Sequence, residues 1–215
     1  MNSRYIDLTH TISEDISLFP GTPLPTLKRI STIKKDGFAE HQLTITSHTG
    51  THIDAPAHVI DGGNTLDNLP IDSFVGTGLC LSIENNKTIS TSHITALHKE
   101  LRTIDFLLIY TGWSKKWNSV EYQQNFPVFS TEAAKMLTQY NLKGIGIDTL
   151  SPDPVNSVDI PVHKIFLEKD ILIIENLTNL DLLTGHRFLF HAMPLKTRDA
   201  DGAPVRAFAI INKMK

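Results

Sequence analysis

The sequence predicts a mixed α/β fold in which a mixed, barrel-like sheet is flanked by helices. Short apolar runs rich in β-branched residues recur along the 215 residues, and such runs are typical of strands. Helical patterns separate several runs of the second half, so strand and helix alternate there. The first third differs, because prolines and glycines interrupt it and no helical pattern lies between its strand signals. This irregular part disfavours a regular doubly wound sheet.

Six of the apolar runs are predicted as strands. In chain order they read HQLTITSH, GLCLSI, DFLLIYTG, GIGIDTL, ILIIENL and VRAFAII. Helices are predicted over residues 90–101 and 130–141, where a serine at the first position can accept hydrogen bonds from the free amides of the first turn. A third, short helix is predicted to begin near Pro161, because proline is tolerated in a first turn, with Asp159 as its cap.

Length and composition favour one domain over residues 1–215. A chain of this length can bury one sizeable core but is short for two.

No stretch approaches the ~20 apolar residues of a membrane helix, and the first ten residues lack a basic segment followed by an apolar one. We therefore expect a soluble, cytoplasmic protein with no membrane partner. The net charge of −3 and the lack of a Lys/Arg stripe argue against nucleic acid as a partner.

The single cysteine, Cys80, rules out a disulfide within the chain. Its neighbours in the run LCLSI are apolar, and no charged group beside it would activate the thiol. Cys80 is therefore expected to be a small buried hydrophobe and not a nucleophile.

The segment HTGTHIDAPAH, residues 48–58, concentrates the groups that can carry chemistry. On a helix His48 and His52 would share a face, but Asp54 would point away from it. On a strand the side-chain period is two, so all three would project from one face, with Gly50 leaving room between the imidazoles. The β-branched neighbours of these residues and the proline at position 56 also favour extended backbone. The sequence therefore predicts a strand that directs His48, His52 and Asp54 to one point.

Two imidazoles and a carboxylate are a common ligand set for a catalytic Zn²⁺ or Mn²⁺, and such an ion makes a bound water acidic. The alternative is that each histidine is an ordinary half-buried strand residue. His58 lies beyond Pro56, where the strand should have turned, so we assign it proton transfer.

Three further polar residues stand near apolar runs. Glu175 interrupts ILIIENL, and it either meets a cation or marks the exposed end of its strand. His163 falls in the predicted helix from Pro161, where a lone histidine is usually a surface residue. Asp148 precedes TLSPDP, whose turn residues favour a role in fixing the loop.

The arrangement of these residues in the sequence resembles the motifs of a known protein family. The segment HTGTHIDAPAH is similar to the metal-binding signature of the cyclase family of metal-dependent hydrolases, which includes bacterial kynurenine formamidase and isatin hydrolase. The likeness extends over YIDLTHTI, FPGTP, GIDTLSPDP and ILIIENLTNL to PLKTRDADGAPVRAFAI. It therefore covers nearly the whole chain.

The resemblance implies a swivelling β/β/α domain that assembles as a homodimer or a larger oligomer such as a tetramer. It implies that His48, His52, Asp54 and Glu175 hold one divalent ion. A second ion would be held by Asp54, His163 and Glu175, so that the two carboxylates bridge. His58 falls on the family's proton-transfer position, and some family members bind one Zn²⁺ or Mn²⁺ instead of two.

The expected activity is hydrolysis of a C–N bond in a small aromatic formamide, amide or lactam. The formamidases carry a tryptophan that packs on the substrate just before the PG of the early loop, where this chain has Phe19. Phe19 is therefore the expected substrate-binding residue. The alternatives are ester or lactone hydrolysis, a cyclisation or dehydration at the same ion, or an inert metal-binding homologue.

Overall fold

The computed structural model describes residues 3–212 and confirms a mixed α/β fold with a barrel-like sheet. The strands of this region are β1 (Ser3–Asp7), β2 (Thr26–Ser31), β3 (Glu40–Thr44), β4 (His52–Asp54), β5 (Val75–Ser82), β6 (Thr88–Ile89), β7 (Phe106–Tyr110), β8 (Val128–Phe129), β9 (Gly144–Ile147), β10 (Leu172–Glu175), β11 (Arg187–Pro194) and β12 (Gly202–Asn212). Its α-helices are α1 (Ile33–Asp36), α2 (Thr91–Thr95), α3 (Thr131–Leu137) and α4 (Pro161–Leu167). Short 3₁₀ turns, among them Pro56–His58 and Leu180–Leu183, complete the described elements.

The large sheet closes on itself. Its strands follow the order β12-β11-β5-β7-β9-β10-β4, and β4 pairs back with the beginning of β12. Strand β1 pairs with the end of β12, on the edge opposite β11. The pairings among β5, β7, β9 and β10 are parallel, whereas β4, β11 and β12 pair antiparallel with their neighbours. The closure places β4 between β10 and β12, and therefore brings residues from distant parts of the chain beside Asp54.

The strand period of two divides the apolar residues between two cores. Along β7, Phe106 and Leu108 pack in the cluster enclosed by the barrel, with Phe190 of β11 in edge contact with Phe106. The alternate residues, Leu107 and Ile109, pack in the second cluster, against the apolar faces of α2, α3 and α4. Cys80 is buried in the first cluster, and burial raises the pKa of its thiol, which confirms the expected apolar role.

The helices begin near the predicted positions but are shorter. Ser130 accepts a hydrogen bond from the amide of Ala133 and begins α3 as predicted. The expected cap of α4 was wrong, because the helix begins after Ile160 and Asp159 is exposed. The carboxylate of Asp153 instead accepts hydrogen bonds from the first-turn amides of the helix.

Strands β2 and β3 form a hairpin, residues 26–44, that we call the hairpin arm. Nearly every residue of the arm is exposed, and it includes the short helix α1, which was not predicted. Its exposed apolar residues are Ile30, Ile33, Phe38 and Leu43. Among residues 3–212, no helix is long and apolar enough to cross a membrane.

Candidate active site

The backbone of the 48–58 segment differs from the predicted strand. Only His52–Asp54 is a strand, and residues 48–51 form a turn in which Gly50 has a φ of +68°. Residues other than glycine rarely adopt this φ, so a glycine is required at this position of the turn. The expectation of a continuous strand from His48 was therefore wrong. The turn nevertheless folds the His48 imidazole back toward Asp54.

The three side chains predicted to converge lie together. His48 Nδ1 is 2.8 Å from Asp54 Oδ1, and His52 Nε2 is 3.4 Å from the same oxygen. Asp54 and His52 are buried, whereas the side chain of His48 is 24% exposed and reaches the cavity described below. One carboxylate oxygen thus lies beside two imidazole nitrogens.

Glu175 and His163 complete a second group on the other side of Asp54. Glu175 lies opposite His52 in the β10–β4 pairing, and its Oε2 is 3.2 Å from His52 Nε2. His163, in the first turn of α4, places Nε2 3.2 Å from Glu175 Oε1 and 3.9 Å from Asp54 Oδ2. Both side chains are buried, so Glu175 does not mark the exposed end of its strand.

In His52 and His163, the ring nitrogen that faces away from the inner carboxylates, Nδ1, donates a hydrogen bond to an acceptor. His52 Nδ1 donates to the carbonyl of Gly50 at 2.8 Å, and His163 Nδ1 donates to Asp153 Oδ2 at 2.7 Å. Each contact fixes the ring orientation and leaves Nε2 facing the two inner carboxylates. Asn176 supports the same turn by donating to the Gly50 carbonyl at 3.0 Å.

The buried carboxylates dominate the electrostatics. Burial alone would lower the pKa of His48, but the charge of Asp54 and the hydrogen bonds to it and to Asp201 raise it to about 9. Burial is likewise outweighed at His163, where hydrogen bonds with Asp153 and Glu175 raise the pKa to about 10. The neighbouring histidines hold the pKa values of Asp54 and Glu175 below their usual range, against the effect of burial. The cluster is therefore built around ionised carboxylates that require positive charge.

The donor set fits a divalent cation. Ligand atoms of His48, His52 and Asp54 lie within 4.8 Å of one another, and so do those of Asp54, His163 and Glu175. Among the described residues, His52 Nε2 and Asp54 Oδ2 are buried polar atoms without a hydrogen-bond partner. An ion between them would satisfy both atoms, since imidazole nitrogens and carboxylate oxygens are ligands that Zn²⁺ accepts.

His58 stands apart from these two groups but close to them. It ends the 3₁₀ turn Pro56–His58, and its ring centroid is 4.1 Å from that of His48 and 5.8 Å from that of His163. Burial lowers the pKa of His58, Asp54 opposes this effect, and the charges of His48 and His163 add to it. The imidazole is therefore neutral near pH 7 and can accept a proton.

A cavity of about 350 Å³ opens onto the cluster. Its walls include four histidines and Glu175 on one side, and on the others the residues Ser17, Leu18, Phe19, Thr22, Leu150, Ser151, Pro154, Val155, Ser157 and Ile160. Phe19, predicted to contact substrate, is among them and is 42% exposed. Asn118 and Gln123 fix this wall, because they hydrogen-bond the backbone of Ser17 and Leu18, respectively. The cavity can accept a small, largely apolar ligand beside His58.

Sequence reasoning missed two acidic residues of the site, Asp153 and Asp201. Asp201 Oδ2 lies 2.9 Å from His48 Nε2, and despite burial the contact with His48 holds the pKa of Asp201 below its usual value. The segment SPDP was noted for its turn residues and for the family resemblance, and DADGAP for the resemblance alone. The position of the two residues inside those motifs was the available signal. Asp148 does fix a loop, but its carboxylate accepts hydrogen bonds from the amide and hydroxyl of Thr111, in the segment that follows β7, and not from the TLSPDP turn for which the role was predicted.

Comparison with known proteins identifies relatives in sequence and in fold. The Cyclase family model matches residues 6–154. A kynurenine formamidase from Geobacillus thermodenitrificans is 32% identical over 209 residues, which cover 96% of this chain and 97% of the relative. The structure of a predicted metal-dependent hydrolase from Bacillus stearothermophilus is 28% identical, with a TM-score of 0.79 and coverage of 98% of this chain and 99% of that one.

The fold is shared more widely than the sequence. Isatin hydrolase A from Labrenzia aggregata, bound to benzyl benzoate, has a TM-score of 0.86 at 24% identity, over 98% of this chain and 94% of that chain. This likeness supports the fold. The family model covers more than half of the sequence and the formamidase nearly all of it, so the chain belongs to the cyclase family.

Proposed function

We propose that this chain is a metal-dependent hydrolase that cleaves a C–N bond in a small aromatic formamide, amide or lactam. The observation that carries the proposal is the pair of ligand groups that share Asp54 and whose histidines line the apolar cavity beside His58. The relatives support the reaction class, since one is named a kynurenine formamidase and another a metal-dependent hydrolase.

The proposed ligands of a first ion are His48, His52, Asp54 and Glu175, and those of a second ion are Asp54, His163 and Glu175. The short distances of Asp54 and Glu175 to histidines of both groups support a bridging role for the two carboxylates. Zinc and manganese are the proposed metals, because both accept imidazole and carboxylate ligands.

In the proposed mechanism His58 moves the proton. A divalent ion at this site would polarise the substrate carbonyl and make a water acidic enough to attack near neutral pH. His58, neutral and beside the cluster, accepts a proton during the attack and delivers it to the leaving nitrogen, so that a neutral amine departs. Phe19 and Leu150 hold the aromatic part of the substrate in the cavity and exclude water from it.

The proposal is tested by elemental analysis of the purified protein followed by a substrate panel. We expect Zn²⁺ or Mn²⁺ in the isolated protein, and turnover of an N-formylaniline or of isatin that is lost on chelation and restored by added metal. His58→Ala is the matched control, because it should retain the metal and lose turnover. Faster hydrolysis of aryl esters or lactones would instead favour the C–O alternative. Metal binding with no turnover on the panel would favour an inert homologue.

We further propose that a second copy of the chain covers the hairpin arm. A two-stranded ribbon is marginally stable alone, and exposed apolar side chains on it mark a contact surface. The double variant Phe38→Asp and Leu43→Asp should convert an oligomer to a monomer in sedimentation velocity. Val158→Asp, which adds one charge at an exposed position outside the arm, is the control and should leave the oligomer intact. A monomeric unmodified protein would refute this part of the proposal.

A further inference from the structure

The carboxylate of Asp201 lies between two imidazoles of the site. Its Oδ2 atom is 2.9 Å from Nε2 of His48 and 3.6 Å from Nδ1 of His58. On the opposite edge of the same imidazole, His48 Nδ1 is 2.8 Å from Asp54. The His48 ring is therefore held between two carboxylates, of which one belongs to the ligand groups and the other lies outside them.

The backbone of Asp201 is fixed to the strand that bears Asp54. The carbonyl of Asp201 accepts a hydrogen bond from the amide of Ala55 at 2.8 Å, and Gly202 lies opposite Asp54 in the β12–β4 pairing. The position of the Asp201 side chain is therefore set by barrel closure and not by a free loop.

Gly202 allows the His48 ring to reach this carboxylate. A Cβ atom at position 202 would lie 2.6 Å from Cε1 of His48, which is closer than real Cβ contacts. A larger residue would displace the imidazole from the line between Asp54 and Asp201. The pair Asp201–Gly202 thus supplies both the acceptor and the space for the ring.

We propose that Asp201 is a positioning residue for His48 and His58, an inference that rests on the proposed metal-dependent function. Its carboxylate accepts the Nε2–H of His48, which leaves the Nδ1 lone pair directed at the ligand group and fixes the ring. The same carboxylate lies 3.6 Å from Nδ1 of His58 and is therefore placed to stabilise positive charge on that ring. One acidic side chain thereby serves both metal binding and proton transfer.

A different reading of the same contacts is that Asp201 is itself a ligand. Atoms of His48, His58 and Asp201 lie within 4.8 Å of one another and could hold an ion. The two readings differ in the number of ions bound, because loss of a positioning residue weakens binding without removing a site. They also differ in the hydrogen bond, since only the positioning role requires an Nε2–H on His48.

The test compares Asp201→Ala and Asp201→Asn with Asp199→Asn, which removes the same charge from an exposed residue of the same loop. We expect Asp201→Ala to bind Zn²⁺ roughly 10- to 100-fold more weakly in chelator competition, with unchanged Zn²⁺ per chain. Asp201→Asn should fall between, because its amide oxygen still accepts a hydrogen bond. In the zinc-loaded protein, the downfield imidazole N–H resonance of His48 should broaden in Asp201→Ala through exchange with water. At saturating zinc, kcat should fall at least tenfold with little change in KM.

Zinc affinity in Asp201→Ala equal to that of the Asp199→Asn control would overturn the positioning role. A fall of one Zn²⁺ per chain would also overturn it, because Asp201 would then be a ligand. Failure of the unmodified protein to bind either Zn²⁺ or Mn²⁺ would instead refute the proposed function. The unmodified protein therefore tests the proposed function, and the variants test the positioning role of Asp201.

Discussion

His163 donates two hydrogen bonds to the carboxylate of Asp153, one from the ring Nδ1 at 2.7 Å and one from the backbone amide at 3.0 Å. The other carboxylate oxygen accepts the amide of Val162 at 3.0 Å. One buried side chain thus satisfies the first turn of α4 and orients a proposed metal ligand. The helix and the site depend on the same residue.

Asp153→Ala should therefore destabilise the protein and weaken the site together. The variant loses a helix cap, worth about 1 kcal/mol, and a buried charge-assisted hydrogen bond, worth about 2 kcal/mol, so we expect a loss of about 3 kcal/mol in chemical denaturation. Asp159→Asn is the matched control, because Asp159 is exposed and does not cap the helix. Equal stability of the two variants would contradict the assignment of Asp153 as the cap.

Substitution of the proposed ligands should separate metal binding from proton transfer. His52→Ala removes a proposed ligand of the first ion, and Asp54→Ala removes a ligand shared by both ions. Both variants should therefore lose bound metal and turnover together, and the loss of metal should be larger in Asp54→Ala. His58→Ala should keep the metal content of the unmodified protein and lose roughly 100-fold or more in kcat, because general acid–base catalysis contributes about that much. Metal analysis and kcat are measured on the same preparations. Full turnover by His58→Ala would disprove its role.

Metal affinity should rise with pH, and binding should release protons. Without metal the pKa values of His48 and His163 are raised to about 9 and about 10, so both are protonated near pH 7. A ligand imidazole must give up the proton on its coordinating nitrogen, so binding near pH 7 should release about two protons from His48 and His163. His52, whose pKa the nearby carboxylates also raise against the effect of burial, adds to the release. Binding should strengthen until pH passes the values of His48 and His163. Calorimetry in buffers of different ionisation enthalpy measures the release. His58→Ala should release the same number, since His58 is already neutral, and no proton release would contradict the raised pKa values.

Phe19 should strengthen the binding of aromatic substrates but not that of aliphatic ones. Phe19→Ala removes a ring that lines the cavity, and an aromatic contact is worth about 1 kcal/mol, so KM for an aromatic formamide should rise roughly fivefold. Phe19→Trp should restore or improve it, and the KM of a small aliphatic formamide should change little in either variant. Leu24→Ala, at an exposed position outside the cavity lining, is the control. An equal effect on aromatic and aliphatic substrates would argue against direct contact.

The local part of the site could be predicted from sequence, although partly for the wrong reason. The acidic and imidazole groups at positions 48, 52 and 54 are close in the chain, so almost any tight backbone path brings them together. Period-two alternation suggested a strand, but His48 reaches Asp54 through the turn at Gly50. Glu175 could be found because a carboxylate inside an apolar run requires a partner.

The outer acceptors could not be predicted, because their contacts are tertiary. Asp153 lies ten residues before His163 in a loop, and its role depends on the direction in which α4 leaves that loop. Asp201 meets His48 only because β12 pairs with β4, a pairing between segments about 150 residues apart. Neither pairing nor loop direction has a local signal in the residue pattern.

The position of β4 between β10 and β12 also bears on how the barrel opens. A bound ion that joins side chains of β4, β10 and α4 would oppose separation of the same strands whose pairing closes the sheet. Chelation should therefore accelerate global unfolding and not merely loosen a surface loop. Amide hydrogen exchange should then quicken even in β5 and β7, which lie across the barrel from the cluster.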